Sequence, residues 1–182
     1  LAITNTPFGL FYMSQNQGKV FRIAGEGIQD ISMYGMKWWF ANYLPYKLIQ
    51  HEAFNNPDGS KKVFDLLDNP VVGIGCQVIY DNKNQEIFFC KKDWQIREDI
   101  GMPITYLGGT TFLVNNMLRV QLGDPNYFVP ASWTVSFDPK TNQGQGGWIG
   151  YHDWHPGLVI PTKNTFMTTK DNGGWVHSDS CN

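Results

Sequence analysis

Three histidines and a cysteine near the end of the chain are the residues that could bind a metal ion. His152, His155, His177 and Cys181 form the pattern H-x-x-H…H-x-x-x-C. Imidazole and thiolate groups are good zinc ligands. However, the pattern has no C-x-x-C knuckle, and residues 152 and 155 would point to opposite faces of a strand. We therefore expect no metal, and we interpret residues 152–156 as a strand end with hydrogen-bonded side chains.

Four aspartates recur at the ends of two similar segments, and they are Asp81, Asp93, Asp138 and Asp153. Glycosidases use two carboxylates about 5–10 Å apart. A catalytic carboxylate occupies one position in a fold, whereas an aspartate that starts a turn accepts backbone N–H bonds wherever that turn recurs. We therefore predict a structural role for these aspartates, no catalytic residue, no cofactor and no enzymatic activity.

The two similar segments are residues 78–94 and residues 135–154. Each is typical of an antiparallel hairpin, with β-branched and aromatic residues in both arms and turn-forming residues between them. A repeat of this kind changes the prediction of the fold, because repeated units build propellers and solenoids. The aligned pairs that define this predicted structural repeat are Asp81 with Asp138 and Trp94 with Trp154.

A second type of hairpin alternates with the first along the chain. It occurs in residues 9–23, 110–122 and 164–178, each with a polar turn between two apolar arms. Because Asn tolerates positive φ, Asn115-Asn116 predicts a two-residue primed turn in the second of these hairpins. One hairpin of each type makes a four-stranded unit of roughly fifty residues, which is the size of a β-propeller blade. The arms of the first type have apolar residues on both faces, as in a sheet that is covered on both sides.

We therefore predict an all-β fold of β-propeller-like antiparallel blades with a short helical insertion, and a β-sandwich is the alternative. The predicted domains are a leading half-blade (residues 1–31), a helical and loop insertion (32–70) and about two four-stranded blades (71–182). Because the sequence starts with Leu and ends without a terminating pattern, we expect it to be a fragment of a longer polypeptide.

The insertion contains the predicted helix, in which apolar residues recur at helical spacing from Met36 to Leu44. Ser32 could cap its start, and Pro45 must kink or end it because proline lacks the backbone N–H. An aromatic stripe of this kind packs either on the sheets of the same chain or on a neighbouring subunit. The candidate subunit-contact residues are Trp38, Trp39, Phe40 and Tyr43.

The composition excludes several classes of protein. Of the 182 residues, 42% are hydrophobic and 15% aromatic, which excludes a disordered chain. The net charge of −2 gives no basic surface for holding nucleic acid. No apolar run reaches the roughly 18 residues of a membrane span. The odd number of cysteines, Cys76, Cys90 and Cys181, argues against a disulfide framework and favours buried thiols.

Several longer phrases of the sequence resemble one family of proteins. The phrases are SQNQGKVFRI, GMKWWFANYLPY, DNPVVGIGCQVIYDNKNQEIFFCKKDW, WIGYHDWHPGLVIPTKNTF and GGWVHSD. They resemble the tail muzzle and nozzle structural proteins of crAss-like, short-tailed bacteriophages. The resemblance implies a virion protein of the distal tail, built from β-propeller modules, that forms a ring around the DNA exit channel and takes part in viral genome ejection.

The resemblance also implies partners and excludes a catalytic site. The partners would be other copies of the chain in a homo-oligomeric ring, other phage tail proteins, the remaining segment of the same gene product and DNA in transit. No catalytic residue or cofactor follows from it. The alternative function is a carbohydrate-binding or glycan-cleaving β-propeller. In that case the stacking platforms for the sugar would be Trp94, Trp148, Trp154 and Trp175.

Overall fold

The computed structural model describes residues 2–25, 27–170 and 173–177, and these divide into two compact units. Unit 1 takes its residues from 1–45, 76–91 and 133–182, and unit 2 from 46–75 and 92–132. Both units consist mainly of small antiparallel sheets, which confirms the predicted all-β class. None of the sheets formed by these described residues closes on itself.

The strands and the one α-helix are as follows in chain order. The first half of the chain forms β1 (Ile3–Thr6), β2 (Gly9–Ser14), β3 (Lys19–Ala24), β4 (Gly27–Asp30), α1 (Lys37–Tyr43), β5 (Gly75–Asp81), β6 (Glu86–Lys92) and β7 (Trp94–Ile96). The second half forms β8 (Ile104–Gly108), β9 (Thr111–Val114), β10 (Leu118–Gln121), β11 (Phe128–Pro130), β12 (Trp133–Asp138), β13 (Gly147–His152), β14 (Leu158–Pro161), β15 (Phe166–Lys170) and β16 (Gly173–His177). No helix in these residues is both long enough and apolar enough to cross a membrane.

The described residues of unit 1 form three sheets. The first sheet is the meander β1–β2–β3–β4, and the third is the meander β14–β15–β16. The leading segment, predicted as half a blade, therefore holds four strands. The hairpin β2–β3 was visible in the sequence, but the flanking β1 and β4 are short and largely exposed, so they lack the apolar pattern of a buried strand.

The central sheet of unit 1 has the order β5–β6–β12–β13. The sequence predicts that each first-type hairpin pairs with a second-type hairpin, but here the two first-type hairpins pair with each other. Phe89 of β6 lies opposite Val135 of β12, and Ile87 lies opposite Phe137. The chain between β6 and β12, which carries the hairpin β9–β10, belongs to unit 2 instead.

The central sheet is covered on both faces, as its sequence predicts. One face packs on Phe11, Met13 and Val20 of the first sheet. The other packs on Phe166 of the third sheet, with Val159 beside it. Alternate residues of β5, β6 and β12 supply these faces because side chains of a strand point to opposite sides in turn. The first face carries Val78, Tyr80, Ile87, Phe89, Val135 and Phe137, and the second carries Ile79, Phe88 and Cys90.

The turns of the two first-type hairpins contain the same type of side-chain hydrogen bond. In the first turn Asp81 Oδ1 accepts the backbone N–H of Lys83 at 3.0 Å. In the second turn Asp138 Oδ1 accepts the backbone N–H of Lys140 at 2.8 Å. These are the bonds that an aspartate makes two residues ahead of itself in an Asx turn. The predicted equivalence of Asp81 and Asp138 is therefore confirmed.

The second turn also needs glycine at one position. Gly146 has φ of +89°, a conformation that costs other residues roughly 1–2 kcal/mol. A Cβ atom on Gly146 would lie 2.2 Å from Cζ of the buried Phe137. Glycine here lets the chain turn tightly against the aromatic core between β12 and β13.

Helix α1 covers residues 37–43, so the predicted helix is shorter than the apolar spacing suggests. It ends before Pro45, as predicted from the missing proline N–H. Ser32 does not cap it: the residue at the N-cap is Met36, and the Ser32 hydroxyl donates to the Asp30 carboxylate. After Pro45 the chain forms two single 3₁₀ turns, Leu48–Gln50 and Glu52–Phe54.

Side chains of unit 1 complete the C-terminus of α1. Lys91 Nζ donates to the carbonyl oxygens of Tyr43 and Pro45 at 2.8 and 2.9 Å. Trp133 Nε1 donates to the same Tyr43 carbonyl at 2.9 Å. Because the last carbonyls of a helix have no partner within it, such donors stabilise the helix end. Lys91 is only 1% exposed, so its long side chain reaches the helix from inside the unit.

Unit 2 has a separate aromatic core and two small sheets, β7–β11 and β8–β9–β10. The turn between β9 and β10 has positive φ at both Asn115 and Asn116, which confirms the predicted two-residue primed turn. Asp65 ties a loop to the sheet by accepting the Tyr106 hydroxyl and the Gly109 N–H. The buried aromatic residues of this core are Phe54, Phe64, Tyr106, Phe112 and Phe128.

Candidate functional site

Two of the three histidines of the predicted metal pattern, His152 and His177, have separate hydrogen-bond partners. His152 Nε2 lies 2.9 Å from the Ser136 hydroxyl. His177 Nε2 lies 2.7 Å from the Thr168 hydroxyl, and its ring stacks on Phe166 with centroids 4.5 Å apart. Within residues 2–25, 27–170 and 173–177, no three histidine, cysteine or acidic side chains converge as metal ligands. Cys181 lies outside these ranges.

The four aspartates of the predicted repeat do not meet in one site. Asp81 and Asp138 lie in their turns. Asp93 is fully buried in unit 2, where it accepts the backbone N–H groups of Lys47 at 2.6 Å and of Trp94 at 2.9 Å. Asp153 is exposed and lines a pocket. Three of the four carboxylates therefore stabilise turns or loops, and the fourth lies at the rim of a pocket. This arrangement differs from that of a glycosidase, in which two carboxylates face each other.

The tryptophans of the predicted repeat occupy different environments. Trp94 lies in β7 of unit 2, opposite Pro130. Trp154 follows β13 in unit 1, with its ring centroid 5.4 Å from that of Phe88. Both are half-buried. The two hairpins therefore correspond up to their second strands, and they diverge where the chain after Lys92 enters unit 2.

The candidate subunit-contact residues of α1 differ in their solvent exposure. Phe40 is fully buried between Trp133 and Trp148, so its assignment to a subunit contact is wrong. The reason is helical geometry, since one side of the predicted stripe packs on the core of unit 1. Trp38 and Tyr43 are exposed by 71% and 43%, and half-buried Trp39 lies beneath them.

The two described cysteines are buried thiols in type. Cys90 is buried and Cys76 half-buried, and neither forms a disulfide. Burial raises the pKa of Cys90 to about 12, and the Thr134 hydrogen bond only partly offsets this. Because the thiolate is the reactive form, Cys90 is unreactive at neutral pH. This agrees with the predicted role of buried thiols.

One pocket of unit 1 gathers aromatic and polar side chains and has a volume of about 480 Å³. It lies between the loop after β13 and the hairpin β15–β16. Such a volume is within the range of small-ligand sites. The residues that line it are Asp153, Trp154, His155, Pro156, Thr168, Lys170, Trp175, Val176 and His177.

Burial favours the neutral form of the histidines around this pocket. Burial is the main cause that lowers the pKa of His152, His155 and His177, and the charge of Lys170 lowers that of His155 further. In the described part of the chain, His155 Nδ1 is the one buried side-chain nitrogen or oxygen atom with no hydrogen-bond partner. A buried polar atom without a partner costs free energy, so this ring is ready to accept one.

We expect the free energy of unfolding to fall as the pH is lowered from about 7.5 to about 5.5. The histidine pKa values are lower in the folded protein than in the unfolded chain, so the unfolded chain binds more protons in this range. Their contribution is present above the ordinary pKa of 6.5 and is lost as the pH falls below it. Urea denaturation at each pH measures this, and the variant His155→Gln should show a shallower dependence. Stability that rises on acidification would contradict the prediction.

Sequence reasoning named the residues of the pocket separately and missed the site itself. Trp154 and Trp175 were candidate sugar platforms, and His155 and His177 were weighed as metal ligands. The pairing of β15 with β16 places Trp175 opposite Thr168 and His177 opposite Phe166. The only signal in the sequence was the density of aromatic and histidine residues between 152 and 177.

Comparison with known proteins does not assign the chain to a family. No protein family, characterised protein or solved structure matches it.

Proposed function

We propose that this chain is a structural subunit of the distal tail, the muzzle or nozzle, of a crAss-like, short-tailed bacteriophage. In this role copies of the chain assemble as a ring around the DNA exit channel. The proposal rests first on the resemblance of its sequence. The observation in the structure that best supports it is an exposed aromatic surface on unit 1, which suits contact with another copy of the chain.

The exposed aromatic surface consists of Trp38, Tyr43 and Tyr151 around the half-buried Trp39. Trp38 packs edge-on against Tyr43 with centroids 6.2 Å apart, and Trp39 contacts Tyr151 at 5.3 Å. Trp38 is 71% exposed and Tyr151 61%. Contiguous aromatic surface in water is rare on monomeric proteins and common in interfaces. Its support by the core residue Phe40 keeps it rigid, and rigidity lowers the entropic cost of association.

The low charge of the chain is also compatible with a DNA channel. A strongly basic lining would bind DNA tightly through the release of counterions. The chain has 14 lysines and arginines against 16 aspartates and glutamates. A channel built from such subunits would let DNA pass without holding it.

The finer fold that we propose is propeller-like. In unit 1 the central sheet is packed between the first and third sheets, as one blade of a propeller is packed between its neighbours. The first sheet and the central sheet each have four antiparallel strands in meander order. In the central sheet this order disregards the segment between β6 and β12, which belongs to unit 2. A layered β-sandwich remains the alternative, and an experimental structure of the assembled protein separates the two.

We expect Trp38→Ala to weaken self-association by about tenfold or more, because an exposed aromatic at the centre of an interface is a typical hot spot. Mass photometry and analytical ultracentrifugation of the purified chain measure the change. Trp175→Ala is the matched control, since it removes an exposed tryptophan from a different face of unit 1, and it should leave association unchanged. A chain that is monomeric at all concentrations, or a Trp38→Ala variant that associates like the parent, would count against the ring.

The tail assignment has its own test. Antibodies raised against the chain and coupled to gold should label the distal tail end of particles from a phage that carries the gene. Label on the capsid, or no chain detected in purified particles by mass spectrometry, would contradict it.

The glycan-cleaving alternative is less well supported. It requires two carboxylates facing each other across a sugar. Asp81, Asp93 and Asp138 instead accept backbone N–H groups, and Asp153 alone of the four lines the pocket of unit 1.

A further inference from the structure

The pocket of unit 1 presents an exposed indole that the core does not use. Trp175 is 51% exposed, although it is one of the largest apolar side chains. Its ring lies over Gly173, where an added Cβ atom would come within 2.6 Å of the ring. The absence of a side chain at Gly173 therefore leaves the space that the indole occupies beside the strand. The result is an aromatic face held in place before any ligand arrives, which reduces the entropic cost of binding.

The floor of the pocket is a second, better-packed aromatic group. Trp154 lies 4.9 Å from His177 and 6.0 Å from Phe166 between ring centroids. His177 is stacked on Phe166 and hydrogen-bonded to Thr168, which is buried. These contacts fix the floor rigidly, while Trp175 forms the wall.

The polar groups at the pocket offer both donors and acceptors. Asp153 supplies an exposed carboxylate and Lys170 an exposed amino group. His155 contributes a ring whose Nδ1 is buried without a partner among the described residues. A ligand with hydroxyl groups can serve all three, since a hydroxyl both donates and accepts.

The charges of the pocket select among ligand classes. Among the described residues that line the pocket, the charges of one carboxylate and one amino group offset each other, and burial lowers the pKa of His155 and His177, which favours their neutral form. An anionic ligand such as a nucleotide would meet the Asp153 carboxylate, and the pocket lining contains no arginine to hold a phosphate. A neutral molecule with one apolar face and a rim of hydroxyl groups fits both features. The pyranose ring has this form, with C–H groups on its faces and hydroxyls around its edge.

We propose that this pocket binds a neutral hexopyranose unit of a glycan, with Trp175 stacked on the sugar face and Asp153, His155 and Lys170 hydrogen-bonded to its hydroxyls. The site binds without cleaving, since it holds a single carboxylate from the predicted repeat. The proposal rests on the pocket alone and does not depend on the role of the chain in a phage tail.

The test is a binding screen of the purified chain with neutral disaccharides. Maltose, cellobiose, lactose, mannobiose and N,N′-diacetylchitobiose are titrated to about 20 mM, since single-site sugar binding falls in the millimolar range or tighter. Calorimetry and saturation-transfer NMR report binding. AMP and glucuronate are the anionic counter-probes. We expect at least one neutral disaccharide to bind, with the NMR contact on the faces of the sugar ring, and neither anion to bind as tightly.

Two pairs of variants connect the binding to the pocket. Trp175→Ala removes the stacking face, and Gly173→Ala displaces the indole through its added Cβ. Each should weaken binding by about tenfold or more. The matched controls are Trp38→Ala, an exposed tryptophan elsewhere on unit 1, and Gly174→Ala, whose added Cβ would have no atom within 4 Å. Both controls should bind like the parent, and thermal denaturation should show that all four variants fold.

Three outcomes would overturn the proposal. The first is the absence of binding to every neutral disaccharide at the highest concentration. The second is binding that Trp175→Ala and Gly173→Ala leave unchanged. The third is binding of AMP or glucuronate that is tighter than that of the neutral sugars.

Discussion

Replacing Phe88 or Phe89 with alanine is expected to lower the free energy of unfolding by about 3–5 kcal/mol in each case. The two residues are neighbours on β6 and point to opposite faces of the central sheet. Phe89 is fully buried against Phe11 and Trp148, with ring centroids 6.5 and 5.4 Å away. Phe88 is 7% exposed on the other face.

The comparison of the two variants tests whether the central sheet is covered on both sides. If one face of the sheet were exposed to solvent, truncating the residue on that face would lower the free energy of unfolding only slightly. Urea denaturation followed by circular dichroism gives the change for each variant. Trp38→Ala serves as the surface control and should stay within roughly 0.5 kcal/mol of the parent. If Phe88→Ala behaves like this control, the third sheet does not pack on the central one.

Replacing Lys91 with methionine is expected to lower the free energy of unfolding by about 3 kcal/mol, since two hydrogen bonds from a charged donor are lost. Methionine has a similar length, so the packing of the aliphatic stem is kept. The carbonyl groups of Tyr43 and Pro45 would lose their lysine donor at the end of α1. Replacing a buried charge with an apolar residue can be neutral when no polar group is left behind, but here the Pro45 carbonyl loses its lysine donor and the Tyr43 carbonyl keeps only the Trp133 N–H among the described residues.

The neighbouring lysine provides the control for this prediction. Lys92 Nζ donates to the exposed carbonyl of Val71, a surface bond for which water can substitute. Lys92→Met should therefore change stability by less than about 0.5 kcal/mol. Hydrogen exchange adds a local measurement, because Lys91→Met should speed exchange of the α1 amides more than those of β12. Equal effects of the two substitutions would show that Lys91 does not hold the helix end.

The sequence determined the local features of this protein. Apolar residues on both faces of the first-type arms predict a central sheet covered on both sides, and the structure confirms it because the direction of a side chain from a strand depends only on its position. Asp81 and Asp138 predicted their turns, Asn115-Asn116 predicted a primed turn, and Pro45 predicted the end of the helix. Each of these outcomes follows from the chemistry of one residue and its near neighbours.

The tertiary structure decided which hairpins pair and which side chains meet. Any two hairpins with apolar arms satisfy the same local rules, so the pairing of β12 with β6 follows from long-range contacts such as Phe89 opposite Val135. The sequence makes Phe40 a candidate for contact with another subunit, yet the side of α1 that faces the core is fixed by Trp133 and Trp148, which are distant in sequence. The pocket of unit 1 depends on tertiary structure in the same way, since the pairing of β15 with β16 places Trp175 and His177 near residues 153–156.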